Sequence, residues 1–90
     1  MAGQTIELDL CGESVTVPHD VARTVAAAAA ARAGISSRHR DLSLLLGRAL
    51  DTGKVSLTRA EVRTLRAVLE EGGGSFGPAG SELLRASSNV

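Results

Sequence analysis

An apolar stripe between residues 38 and 51 constrains the fold of this chain more than any other feature of its sequence. Ser36 or Ser37 can cap the start of a helix there, and Asp51-Thr52-Gly53 is expected to end it. The apolar residues recur at intervals of three and four, which is the spacing of one face of an α-helix. The stripe therefore predicts a helix over 38–51 that packs against other elements, through Leu42, Leu45, Leu46, Ala49 and Leu50.

The first residues of the chain have the period-two pattern of a β-hairpin. Between residues 4 and 17, apolar side chains alternate with polar ones on both sides of a central Gly12-Glu13. Glycine at the first central position suits a two-residue type II′ turn. The predicted register pairs Leu10 with Val15 and Leu8 with Val17, so one face of the hairpin is apolar. An isolated hairpin is unstable in water, and this face must pack on something.

Two more helices are predicted, over 19–33 and 59–71. The first has Pro18 near its start, Gly34 after its end and six consecutive alanines in its middle. The alanines favour a locally stable helix, and a smooth alanine face also suits a close helix pair across a dimer. The last helix has a capping box, with Thr58 at its start and Glu61 three residues later. Residues 55–57 are predicted to be a short extended link before it.

Glycine dominates the sequence after the last predicted helix. Five glycines lie between Gly72 and Gly80, so residues 72–90 are predicted to be a flexible linker and tail. The candidate partner-binding residues of this tail are Phe76, Leu83 and Leu84. Three states remain open: docking onto the protein's own dimer, capture by another protein, and disorder. The predicted fold class is α+β, with an N-terminal β-hairpin, three α-helices and a flexible C-terminal tail, residues 1–71 forming a single small domain.

The composition predicts a thin core. Fourteen of the 90 residues are alanine, ten are glycine, and Phe76 is the one aromatic residue. Small domains with poor cores often complete them by pairing, so a homodimer is expected. The single cysteine, Cys11, favours a reducing, cytoplasmic location. The longest apolar stretch, Val25–Ala31, is far shorter than the roughly 20 residues that cross a bilayer, so no membrane span is expected.

The sequence offers little for catalysis. Cys11 at the hairpin turn and His19 at its far end would lie about 20 Å apart by strand rise, too far to share a proton. No pair of His or Cys residues has the spacing of a metal site, and no glycine-rich loop matches a phosphate-binding motif. The chain is therefore predicted to be no enzyme and to need no cofactor.

Charge is neutral overall and segregated along the chain. Residues 1–18 carry a net −3, residues 19–66 a net +5 and residues 67–90 a net −2. An acidic hairpin and tail can attract the basic middle, or the basic middle can bind an acidic partner. The candidate basic residues at helical spacing are Arg59, Arg63 and Arg66 in the last helix, with Arg38 and Arg40 at the start of the helix before it.

Two functions from different classes follow. The first is a non-catalytic protein–protein interaction or regulatory module, cytoplasmic and dimeric, that binds itself and another protein. The second is a DNA-binding regulator in which helices 38–51 and 59–71 form a helix–turn–helix-like unit. The link between these helices is longer than the usual turn of three or four residues. The neutral net charge also argues against a strong phosphate contact surface.

The segment Ile6-Glu7-Leu8-Asp9-Leu10-Cys11-Gly12-Glu13-Ser14-Val15-Thr16-Val17, followed by a helix, resembles the first hairpin and helix of ubiquitin-like sulfur-carrier proteins. The resemblance covers about 30 residues and implies the β-grasp arrangement, in which further strands extend the sheet. Residues 55–57 offer one further strand at most, so the chain is not assigned to that family.

Overall fold

The computed structural model describes residues 4–72 and 76–88. Within these residues the protein is a small α+β fold of one sheet and four helices, whereas three helices were predicted. The strands are β1 (Thr5–Leu10), β2 (Glu13–Pro18) and β3 (Lys54–Leu57). The helices are α1 (His19–Ala30), α2 (Ser37–Thr52), α3 (Arg59–Gly72) and α4 (Gly77–Ser87).

The sheet has the order β2-β1-β3, with β1 antiparallel to β2 and parallel to β3. The predicted extended link is therefore a strand of the sheet, paired along β1 from Glu7 to Leu10. Period-two alternation buries Leu8 on one face and leaves Glu7 and Lys54 exposed on the other. A sheet with one buried and one polar face needs helices on one side, and the helices bury that face.

The hairpin register differs from the predicted one. The turn is Cys11-Gly12, with φ of +56° and +104°, and Leu8 faces Val15 rather than Val17. Positive φ at both central residues defines a type I′ turn, whose twist matches that of the strands. Asp9 Oδ1 accepts a hydrogen bond from the Gly12 N–H at 2.9 Å, which supports the turn locally. The shift is an even number of residues, so the same side chains stay on the buried face.

The helix ends follow the predicted caps, with one exception. Ser36 Oγ accepts from the His39 N–H at 3.4 Å at the start of α2, and Gly53 ends that helix with a φ of +85°. Thr58 and Glu61 form the reciprocal capping box of α3: the Thr58 N–H donates to Glu61 Oε1 at 2.8 Å, and the Glu61 N–H donates to Thr58 Oγ1 at 3.3 Å. The exception is α1, which ends at Ala30 and not at residue 33.

The prediction of a flexible tail is not confirmed, because residues 77–87 form α4. Phe76 and Leu83 are buried, and α4 contacts α3 and β2. Two of the glycines that suggested a linker are packing positions: a Cβ on Gly72 or Gly80 would overlap the Phe76 side chain. Residues 73–75 and 89–90 of the predicted tail lie outside the described residues.

The core lies between the sheet and the helices, and every element contributes to it. Leu10, Leu42 and Leu65 are among its fully buried side chains. Leu83 and Ala86 of α4 add to it, so part of the chain predicted as tail fills the core that looked thin in the sequence. α1 packs along α2, and the alanines buried in these two helices are Ala22, Ala29 and Ala49.

Candidate functional site

The five candidate arginines are exposed, and the structure brings them together only in part. Arg59, Arg63 and Arg66 lie along α3, where Arg66 Nε is 3.8 Å from Glu70 Oε1. Arg38 and Arg40 lie in the first turn of α2. Arg38 lines a depression of about 170 Å³ with Thr58, which precedes α3, and with residues in the first two turns of α3, including Thr64. Arg40, Arg59 and Arg63 are absent from its lining.

The connection between α2 and α3 is not the turn of a helix–turn–helix unit. Lys54–Leu57 are hydrogen-bonded into the sheet beside β1, and the Glu7 N–H donates to the Gly53 carbonyl at 2.9 Å. The relative position of the two helices is therefore set by a strand anchored in the core and not by a short turn.

The candidate residues of the tail serve the chain's own core. Phe76 is 5% exposed and Leu83 is 1% exposed, while Leu84 is half-buried against the same cluster. In this conformation Phe76 and Leu83 are covered, so a partner would have to displace α4 to reach them.

A groove between α2 and α3 combines apolar and charged side chains around an exposed leucine. Its wider part, about 280 Å³, is lined by Asp41, Leu44, Leu45, Arg48 and Glu61. Its narrower part is the depression beside Arg38, which shares Asp41 and Glu61 with the wider part. We call the surface formed by the linings of these two adjoining parts the α2–α3 groove.

Leu44 is the apolar feature of this groove that the sequence reasoning missed. It is 66% exposed, and among the described residues only Ile35, at 84%, is a more exposed large apolar side chain. The signal was present in the sequence, because Leu44 lies off the stripe that predicted the buried side of α2. An exposed leucine alone is ordinary on a protein surface. Here it lies in a concavity with charged residues around it.

The charged residues of the groove differ in what they already bind. Glu61 is engaged in the capping box of α3. Two ion pairs occur in residues 4–72 and 76–88, Arg32 with Glu71 and Arg66 with Glu70. Asp41 and Arg48 belong to neither pair, so their charges face solvent and remain available to another molecule.

Cys11, the candidate nucleophile, does not form a catalytic group with either His19 or His39. Cys11 Sγ donates to the Leu57 carbonyl at 3.6 Å at the hairpin turn, and His19 lies at the opposite end of the hairpin, beyond the Thr5–Pro18 pair. His39 Nδ1 lies 2.8 Å from Ser36 Oγ in the cap of α2. In the described ranges, no three His, Cys, Asp or Glu side chains are close enough to hold a metal ion.

None of the helices in the described part of the chain is long and apolar enough to cross a membrane. Comparisons with protein-family models, with curated proteins and with solved structures find no match to this chain. A functional conclusion therefore has to come from the α2–α3 groove and the residues around it.

Proposed function

We propose that this protein is a non-catalytic interaction module of the cytoplasm, regulatory in role and dimeric, and that it binds its partners along the α2–α3 groove. The observation that carries the proposal is the exposed Leu44 within that groove, between charges that lack an ion pair in the described residues. An apolar centre with a polar rim is the usual anatomy of a protein–protein interface.

The rest of the molecule supports a binding role over a catalytic one. Cys11 and His19 are at opposite ends of the hairpin, so neither can activate the other. The cytoplasmic location is supported by Cys11, an exposed free thiol that suits a reducing compartment.

The proposal is tested by site-specific photo-crosslinking in living cells that produce the protein. A photoreactive amino acid replaces Leu44 in the groove, and in a matched control it replaces Thr24, which is exposed on α1. We expect protein adducts from position 44 that position 24 does not form, identified by mass spectrometry. Equal adduct patterns, or no adduct at position 44, would contradict the proposal. An adduct with a second copy of the chain counts as an interaction as much as one with another protein.

Binding to duplex DNA is the second candidate function. The observation in its favour is the exposed row of Arg59, Arg63 and Arg66 on one side of α3, of which Arg66 alone forms an ion pair within the described ranges. Phosphate contacts make DNA affinity fall steeply with salt. If the chain is a DNA-binding regulator, replacing the three arginines with alanine will abolish binding and flatten the salt dependence. If neither the unaltered chain nor the triple variant binds duplex DNA, this candidate function is wrong.

A further inference from the structure

The charges of α2 are arranged symmetrically about its two groove leucines. Asp41 lies three residues before Leu44, and Arg48 lies three residues after Leu45. An acid on one side of the centre thus has a base at the same distance on the other side. A helix with this order presents opposite charges to a second copy of itself that runs in the opposite direction.

The same symmetry continues one turn further out. Arg38 lies six residues before Leu44, and Asp51 lies six residues after Leu45, again a base matched by an acid. Both side chains are exposed, as are Asp41 and Arg48. In the described ranges, neither Arg38 nor Asp51 forms an ion pair. At 100° per residue they lie about 140° apart around α2, so they flank the face that carries Asp41 and Arg48 and add charge at its two margins.

Asp41, Leu44 and Arg48 lie on a side of α2 that the fold leaves exposed, and Leu45 borders it, half-buried against the core. At 100° per residue, Asp41, Leu45 and Arg48 fall within an arc of about 60°, and Leu44 lies about 40° beyond the Arg48 edge of that arc. The buried side of the helix is elsewhere, at Leu42, Leu46 and Ala49. The side facing solvent therefore carries the symmetrical charges and the exposed leucine together.

We propose that the occupant of the α2–α3 groove is a second copy of this chain, with the two α2 helices antiparallel about a two-fold axis between Leu44 and Leu45. This inference rests on the proposed function, whose partner it names. In the pair, Asp41 faces the partner's Arg48, and Arg48 faces the partner's Asp41. Leu44 lies beside the partner's Leu44, Leu45 lies beside the partner's Leu45, and the two-fold axis repeats the charge contacts.

The charge order selects the antiparallel direction. In a parallel pair, each side chain would face its own counterpart, so aspartate would oppose aspartate and arginine would oppose arginine. Like charges placed opposite one another in an interface disfavour that arrangement, and opposite charges fix direction and register. The apolar centre is small and the ion pairs are near solvent, so the dimer is expected to weaken as salt concentration rises.

The test is a charge-exchange series followed by sedimentation equilibrium over a wide range of protein concentration. We expect the unaltered chain to dimerise and each single variant, Asp41→Arg or Arg48→Asp, to weaken the dimer at least tenfold, because both copies then oppose like charges. The double variant D41R/R48D restores opposite charges. The dissociation constant of its dimer should lie within about threefold of that of the unaltered chain. An equal mixture of the two single variants should form heterodimers.

Arg63→Asp on α3 is the matched control, because it makes the same charge change at an exposed site away from the groove. This substitution should leave the dissociation constant of the dimer unchanged. Circular dichroism checks that each variant stays folded, as expected for substitutions of exposed side chains.

Three results would overturn the inference: an unaltered chain that stays monomeric at every concentration, a dimer indifferent to the charge exchange, or a double variant as weak as the single ones. These are distinguishable from failure of the proposed function. If the photoreactive residue at position 44 captures another protein while the chain sediments as a monomer, the interaction function stands, whereas the self-pairing and the dimeric state proposed with it are wrong.

Discussion

The aromatic ring of Phe76 lies against the Cα of Gly72, in the space that a Cβ on that glycine would occupy. The Cα of Gly80 approaches the Cβ of the same phenylalanine in the same way. One buried side chain thereby joins the end of α3 to the start of α4, and both close approaches require glycine. The position of α4 against α3 depends on this contact.

Replacing Gly80 with alanine should therefore destabilise the fold by about 1–3 kcal/mol, the usual cost of forcing an extra carbon into a packed site. Gly47→Ala is the matched control, because a Cβ there meets nothing within 4 Å. It should stabilise α2 by roughly 0.5–1 kcal/mol, since alanine is the better helix former. Urea denaturation measures both changes, and a Gly80→Ala protein as stable as the unaltered chain would contradict the packing described.

The hairpin turn should be sensitive to substitution at Gly12. Gly12 has a φ of +104°, which a residue with a side chain adopts only at a cost, so Gly12→Ala should lose at least about 1 kcal/mol. Gly34→Ala supplies the comparison, because its φ is not left-handed and its surroundings are open. Thermal denaturation followed by circular dichroism compares the two. Equal melting temperatures would be inconsistent with the Cys11-Gly12 turn.

The capping box of α3 should be worth about 1 kcal/mol, the typical cost of removing an N-terminal cap. Thr58→Ala removes the hydroxyl that accepts from the Glu61 N–H and is expected to lower the free energy of unfolding by that amount. Thr58→Ser keeps the hydroxyl and should retain most of the stability. Chemical denaturation of the two variants side by side provides the measurement; a serine variant that loses as much as the alanine variant argues against the cap.

Alanine substitutions at Leu44 and at Leu8 should separate an effect on binding from an effect on the free energy of unfolding. Leu8 is 1% exposed in the central strand, so Leu8→Ala should cost about 2–5 kcal/mol through lost burial and the cavity that remains. Leu44 is 66% exposed, and Leu44→Ala should change stability by less than about 0.5 kcal/mol. The same Leu44→Ala protein should have a lower affinity for the second copy of the chain that is proposed to occupy the groove. Denaturation curves and sedimentation equilibrium give the two quantities, and a large loss of stability from Leu44→Ala would show that the leucine is structural.

Local features were predictable where local chemistry decides them. The stripe through Leu42 and Leu46, the box formed by Thr58 and Glu61, and the alternation around Leu8 each involve residues close in sequence. Helix propensity, hydrogen bonding at helix ends and the period of two act within a few residues, so α2, α3 and the two strands of the hairpin followed from them.

The candidate site was predictable only in part. Arg38 was identified and does lie at the α2–α3 groove, whereas Leu44, Asp41 and Arg48 were not selected. Their place in the groove depends on what α3 leaves uncovered, and periodicity along one helix does not report which flank a neighbour covers.

The sequence by itself determined where most helices and strands form and which face of each is apolar, because these properties depend on residues near one another along the chain. The tertiary structure alone decided that residues 54–57 join β1 as a parallel strand and that residues 77–87 form a docked helix. Neither segment is long enough to be stable in isolation. Each takes its structure from contacts with residues distant in sequence, through backbone pairing for β3 and through burial of Phe76 and Leu83 for α4.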